Sequence, residues 1–194
     1  MDFESELPRN LQIGLRQMAE ALDAAKLPYA LIGGIAVGYR SRPRFTKDID
    51  FLLGIPQIKL PALLDDLHGR GFVFETEKTI AEWTKYHLTK MDFHGVRIDW
   101  LKPVLPVYKH VIDTAKVESW KGYSISIASL ECLIVTKLIA FRGQDQGDIE
   151  ALIAANRGQL DLAFIRSEWA TIAPEDDPRM QRFLEMVRKL DKPA

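Results

Sequence analysis

Apolar residues recur along this chain with two periods, and the switches between them mark out its elements. Leu11, Leu15, Met18, Leu22 and Ala25 follow at alternating spacings of four and three, which places them on one stripe of an amphipathic helix. Pro28 introduces the short apolar run Tyr29-Ala30-Leu31-Ile32, closed by Gly33-Gly34. That pattern reads as a strand, a tight turn and a helix reaching about Tyr39. Asp48 to Leu53 is a second strand, ended by Gly54 and Pro56. Ile58 to Arg70 has helical spacing and stops at Gly69 and Gly71, and Phe72-Val73-Phe74 is strand-like. Tyr86 to Phe93 and Val96 to Leu101 read as two strands joined by a hairpin turn at His94-Gly95.

Pro103 and Pro106 bound a helix running to about Ala115, and Tyr123 to Ile127 alternates polar and apolar residues as an exposed strand would. Everything from Ser129 onward is helical: Ser129 to Phe141 with Ser129 as its cap, Asp145 to Asn156, Asp161 to Thr171, and Asp177 to Leu190. The expectation is an α+β fold, with a mixed β-sheet domain over residues 1–128 and a C-terminal helical region over 129–194 packed on it. The boundary is a change of element type rather than a linker, so two independent bodies are not expected. No internal repeat or low-complexity stretch interrupts this order.

Composition narrows the class. A chain of 194 residues, 47% hydrophobic and 27% charged, can bury a core and has the size of one domain with a helical appendage. No apolar run approaches the roughly 18 to 20 residues that span a bilayer. The opening Met1-Asp2-Phe3-Glu4-Ser5-Glu6 is acidic where a secretory signal is basic and then apolar. A cytoplasmic protein with no membrane partner is expected. Cys132 is the single cysteine and lies in the apolar stretch Leu130 to Ile134. It reads as a buried structural thiol, since a catalytic one wants a cationic neighbour and exposure.

A formal charge of -1 gives no overall attraction to polyanions, so such a partner must be held by a local patch. Arg40, Arg42, Arg44 and Lys47 supply one within eight residues, directly before Asp48. Cations beside carboxylates suit a site that takes a metal and a phosphate chain together; a solvated basic loop is the alternative.

Strand alternation sends Asp48 and Asp50 to one face, with Ile49 and Phe51 toward the core. In the later strand Val96, Ile98 and Trp100 share one face, and Arg97 and Asp99 share the other. If the two strands pair, three hard oxygen donors meet on one sheet face, which suits Mg²⁺ or Mn²⁺ better than zinc. Asp-x-Asp alone is weak, because charged residues two apart occur on many exposed strands. Its setting adds weight: Gly33-Gly34 ends one strand and opens a helix whose N-terminus can face an anion, with thirteen residues between Gly34 and Asp48. Lys137 follows Leu133 by four and Ile134 by three, on the apolar face of its helix, where it must find a partner, reach an opening or snorkel to water. Asp145 reads as a helix cap and Asp148 as a first-turn residue favoured by the helix dipole. His94 reads as a turn residue, and His68, His87 and His110 fit no ligand spacing.

Ile32-Gly33-Gly34 followed by Thr46-Lys47-Asp48-Ile49-Asp50-Phe51-Leu52 resembles the signature of the nucleotidyltransferase superfamily related to polymerase beta. Lys137 to Ala140 and Arg142 to Ile149 resemble the later motifs of its AbiEii-type subgroup, many of whose members are toxins of toxin-antitoxin pairs. The resemblance spans about residues 28 to 155 and is more specific in its first motif than in the later ones. It implies a nucleotidyltransferase-fold sheet, a nucleoside triphosphate as co-substrate, and Asp48, Asp50 and Asp99 as ligands of Mg²⁺ or Mn²⁺. Gly33 and Gly34 would cradle phosphates, Lys137 would reach them from the helical region, and Asp145 would act beside it. Arg40, Arg42, Arg44 and Lys47 would bind the triphosphate or an RNA acceptor. Many relatives carry serine where this chain has Gly34, so one hydroxyl contact is lost while the backbone contacts stay.

The implied reaction is attack of an acceptor hydroxyl on the α-phosphate, with release of pyrophosphate. The acceptor is an RNA or tRNA in one reading, with an antitoxin protein as partner, and an antibiotic-type small molecule in another. A nucleotide-binding module without turnover is the third reading, against which the retention of all three aspartates weighs.

Overall fold

The structure, a computed structural model, describes residues 3–120 and 122–190. The acidic opening at Met1 and Asp2 and the last four residues of the expected helical region lie outside the described residues. The predicted amphipathic stripe is helix α1 (Arg9–Ala24), which buries Leu11, Leu15, Met18 and Leu22. Strand β1 (Tyr29–Ile32) runs directly into helix α2 (Gly33–Arg40), and β2 (Asp48–Leu53) follows a loop. A short 3-10 turn leads to α3 (Leu60–Gly69), and α4 (Thr76–Lys85) precedes the hairpin of β3 (Leu88–Phe93) and β4 (Val96–Leu101). Helix α5 (Pro106–Asp113) comes before a second hairpin, β5 (Lys116–Trp120) and β6 (Tyr123–Ile127). The chain closes with α6 (Leu130–Ala140), α7 (Gly143–Ala155), α8 (Leu162–Ala170) and α9 (Pro178–Leu190).

The fold is α+β, built on a six-stranded mixed sheet in the order β3-β4-β2-β1-β6-β5. Parallel pairing of β2 with β4 and of β1 with β6 joins the antiparallel pairs β1–β2, β3–β4 and β5–β6. Alternation then divides the faces. Ile49, Phe51, Ile98, Trp100, Met91 and Phe93 are buried on one face, and Asp48, Asp50, Arg97 and Asp99 stand on the other. Helix α1 packs against β2, β4 and β6, while α4 packs against β3 and sets Trp83 edge-on to Trp100 at 6.0 Å between ring centroids. Helix α6 packs against α2 and α5, α7 against α6 and α2, and α9 against α7 and α6. Buried residues from Leu15 through Ile49 and Leu133 to Phe183 form one continuous cluster.

Several elements differ from the sequence reading. Phe72 to Phe74 is no strand; a single bridge ties Val73 to Asp92. Tyr123 to Ile127 is not exposed, because it lies between β1 and β5 with Tyr123, Ile125 and Ile127 buried. The run Ile58 to Arg70 begins as a 3-10 turn, and Ile58 is left 90% exposed. Strand β3 starts at Leu88 because His87 takes a left-handed φ of 60°. Helix α4 went unrecognised since it buries only Thr79 and Trp83, too few apolar positions to show a helical period. Strand β5 went unrecognised because Val117 is 69% exposed and only its pairing with β6 makes it a strand.

Ile49 is fully buried directly behind the two front-face aspartates of its strand. Ile49→Ala is expected to destabilise the fold by about 2 to 5 kcal/mol and Ile49→Val by about 0.5 to 1.5 kcal/mol. Urea unfolding at an unchanged denaturant slope checks both; equal midpoints for wild type and Ile49→Ala would contradict the packing described.

Candidate active site

Register brings the aspartates together. Parallel pairing sets Asp50 beside Asp99 and Asp48 beside Arg97, so the three carboxylates share one face across two adjacent strands. Antiparallel pairing extends this face to β3, where Lys90 lies opposite Asp99. A cavity of about 380 Å³ opens above the carboxylates, with Gly33, Gly34, Arg44, Lys137, Arg142 and Asp145 in its far wall. Its size falls within the roughly 300 to 1,000 Å³ range of small-molecule sites.

Gly33 is where the backbone closes on the carboxylates. It holds a φ of 66°, and a side chain there would overlap the Asp50 carboxylate. No side chain caps the N-terminus of α2, so its first N–H groups remain available to an anion. Gly34 is close-packed in another way: a Cβ would lie 2.8 Å from Thr46 Oγ1 and 3.0 Å from an Arg44 nitrogen. Space that a serine would need is already occupied by the Thr46 hydroxyl, which donates to Asp48 Oδ1 at 2.9 Å.

Carboxylates gathered in this way repel one another. Burial, then Asp48 and Asp99, push the Asp50 carboxyl up to about 6. Burial also raises Asp99, with Arg97 pulling the other way. Arg97 is the counter-charge: its guanidinium contacts the Asp48 carboxylate and lies 3.1 Å from Asp99 Oδ2. As these side chains stand, no three acidic, histidine or cysteine groups among the described residues converge closely enough to hold one ion. The donors are nonetheless hard oxygens on one face, and Arg97, with 54% of its side chain exposed, has solvent to move into. Asp48, Asp50 and Asp99 therefore fit a divalent cation of the Mg²⁺ or Mn²⁺ type by chemistry, in exchange for Arg97.

The opposite wall is a buried ionic network. Lys137 is 8% exposed, and its Nζ lies 3.0 Å from Asp145 and 2.7 Å from Asp148. It finds partners, as its place on an apolar helix face requires, while still lining the cavity. Asp145 is not the cap of α7 but its third residue: it accepts from the backbone N–H and side chain of Arg142 in a capping box. Burial alone would raise Asp145, yet hydrogen bonds from Arg142 and Lys137 hold its carboxyl below the usual range. Asp148 is no first-turn residue. It is buried one turn deeper, and Arg44 meets it with two nitrogens at 2.9 and 3.0 Å.

The basic segment divides. Arg44 belongs to the site, whereas Arg40 donates to Glu118 and to the Ala128 carbonyl, both at 3.2 Å. Arg42 lines a separate groove beside Gly147 and Glu150. Lys47 stands over the ring of Phe45, 5.8 Å from its centroid, and does not line the cavity. Thr46, Arg97, Tyr108, Thr136 and Arg142 complete the lining. Thr46 and Arg97 each precede an aspartate by two positions on a strand or its approach, so a period of two could have found them. Tyr108 carries no such signal. Cys132 is buried, with its thiol pushed up by burial. His94 is a turn residue at φ 50°, and His110 bonds Glu168.

Known proteins place these features. The model of the DUF2204 family, described as a nucleotidyl transferase of unknown function, matches residues 12–186. No curated protein matches the chain. Among solved structures, an antigenic nucleotidyltransferase-like protein from Paracoccidioides brasiliensis is similar in fold, at TM-score 0.54 and 18% identity over 93% of this chain and 88% of that one. The antibiotic-resistance factor ANT(2'')-Ia is a looser match, at TM-score 0.46 and 15% identity over 92% and 84% of the two chains. A tRNA-processing enzyme is looser still, at TM-score 0.40 and 14% identity over 95% and 57%. At those scores neither bears on what this chain acts on.

The raised Asp50 carboxyl sets a pH dependence. Unfolded, it titrates near the ordinary 3.8; folded, near about 6. Between these values the folded state binds the extra proton, so stability falls as pH rises through this window, by about 2 to 3 kcal/mol in all. Asp50→Asn removes the cost. In chelator-containing buffer it should be more stable than wild type at about pH 8 and nearly equal to it at about pH 4. Thermal unfolding across pH checks this, and a pH-independent difference would contradict it.

Proposed function

Because the chain belongs to the nucleotidyl transferase family that matches residues 12–186, we propose that it transfers a nucleoside monophosphate from a nucleoside triphosphate to an acceptor hydroxyl. One observation carries this reading: a single cavity has three carboxylates on its sheet side and the α2 N-terminus, Arg44, Lys137 and Arg142 on its other side. The first set suits a divalent cation and the second suits a polyphosphate. Mg²⁺ or Mn²⁺ held by Asp48, Asp50 and Asp99 would neutralise phosphate charge and acidify the acceptor hydroxyl.

The residues divide the remaining work. Backbone N–H groups at Gly33 and Gly34 donate to phosphate oxygens at the uncapped start of α2. Arg44 and Lys137 present fixed positive charge, because Asp145 and Asp148 hold their side chains in place. Such fixed charge needs little reorganisation when the reaction occurs. Arg142, with 76% of its side chain exposed while it pairs with Asp145, adds a further cation at the solvent side of the cavity. The acceptor oxygen forms a bond to the α-phosphorus, the bond from that phosphorus to its bridging oxygen breaks, and pyrophosphate leaves with the electron pair. The hydroxyl proton passes to the Asp99 carboxylate, which burial makes a better base. Placement among AbiEii-type toxins, with an antitoxin partner, rests on the Lys137 and Asp145 motifs alone.

Incubation with each labelled nucleoside triphosphate, Mg²⁺ or Mn²⁺, and a pool of RNA tests the reaction. Asp48→Ala is expected to lower transfer by about a hundredfold or more without unfolding the protein. Transfer that survives this substitution would sink the mechanism.

A further inference from the structure

A second cavity, of about 390 Å³, adjoins the first and shares Arg97 and Asp99 with it. It lies at the free edge of the sheet, where β3 is the outermost strand, and is completed by Glu82, Tyr86, Leu88 and Lys90. We propose that this cavity is the acceptor subsite and takes the 3′-terminal nucleoside of a single-stranded polynucleotide, its base stacked on Tyr86 and its hydroxyl turned toward Asp99. This inference rests on the nucleotidyl transfer proposed above.

Three features select that occupant. The left-handed turn at His87 separates α4 from β3 and leaves Tyr86 63% exposed and Leu88 50% exposed. An aromatic ring and an apolar neighbour at a cavity mouth suit a flat heterocycle, and base–aromatic stacking tolerates any base.

The strand edge supplies hydrogen-bonding groups. Asp92 exchanges backbone hydrogen bonds with Val73, on the side of β3 away from β4. By the period of two, the N–H and C=O groups of Lys90 and Leu88 also face away from β4 and along the cavity. A donor and an acceptor side by side match the edge of a nucleobase; a simple cation or an alkyl alcohol would use only one of them.

Charge favours a phosphate chain. Lys90 and Arg97 line the cavity, and Lys85 accompanies the Tyr86 ring with its Nζ 5.1 Å from the centroid. Lys102 stands nearby, over Trp83. The two lining carboxylates already have partners: Glu82 accepts from Thr89 at 2.8 Å, and Asp99 pairs with Arg97. The lining charges balance, Lys90 and Arg97 against Glu82 and Asp99, so the positive charge that draws in a phosphodiester comes from Lys85 beside the Tyr86 ring.

The test is equilibrium binding of fluorescein-labelled single-stranded RNA and DNA of roughly ten nucleotides to the full chain, beside binding of a labelled nucleoside triphosphate. Wild type is expected to bind RNA, DNA or both, and which of the two it binds identifies the acceptor. Tyr86→Ala should bind about tenfold more weakly and Tyr86→Phe like wild type. Lys90→Glu should weaken binding and flatten its salt dependence. Triphosphate binding should be unchanged in both Tyr86 variants, since Tyr86 lies outside the first cavity. Undiminished binding by Tyr86→Ala overturns the proposal, as does failure of both oligonucleotides to bind a protein that still binds triphosphate. In that second case nucleotidyl transfer itself stands; loss of triphosphate binding by wild type would instead remove the reading beneath it.

Discussion

Mutual repulsion of three aspartates on one sheet face is the constraint around which the rest of this molecule is arranged. The parallel register of β2 and β4 places Asp50 beside Asp99 with no freedom to separate them. A one-residue slip of β2 would turn Asp48 and Asp50 into the core and bring Ile49 to the surface, and a slip of β4 would do the same to Asp99 and Ile98, so the same hydrophobic pattern that makes the core also enforces the clustering. The protein answers the repulsion with Arg97 from within the cluster, and what is left unanswered appears as an Asp50 carboxyl raised to about 6. Stability is thereby given up at the position where charge is concentrated, as happens where a site is shaped for something other than folding.

The second consequence is a division of labour between the two halves of the cavity. On the sheet side the acidic groups outnumber their counter-charge, and a cation is called for. On the helical side Asp145 and Asp148 are each matched to basic side chains, so that neither the buried Lys137 nor the half-buried Arg44 is left unpaired. Those two aspartates are fixtures for the lysine and arginine. Buried ion pairs of this kind add little to stability, but they hold charged side chains in one geometry.

Much of this was legible in the sequence because strand alternation is a strict rule. Asp48, Asp50, Asp99 and the Gly33-Gly34 turn could be placed from spacing alone, and the structure sets them on one cavity. The same period of two set Arg97 on that face, though nothing in it showed that Arg97 is the counter-charge of Asp48 and Asp99. Spacing could not supply the third dimension: Arg40 and Arg44 are four residues apart, yet one ties α2 to β5 while the other enters the site. Asp148 was misplaced for the same reason, since a carboxylate in a helix shows nothing of the arginine that crosses to it from a distant loop. Strand β5 was missed because it has no periodic apolar face and is defined by its pairing with β6, and helix α4 because its apolar face is short, resting on Ile80 and Trp83.

The placement of Arg97 also alters what uptake of a cation means for this protein. Because a guanidinium lies across Asp48 and Asp99, a cation taken up as proposed above would displace a competitor that is tethered to the chain. The observed affinity would then be the difference between two electrostatic attachments, and the chain would keep its fold when divalent ions are scarce. An arginine released by such an exchange would remain beside both cavities that it lines, so the charge given up by the carboxylates would stay available to a bound phosphate.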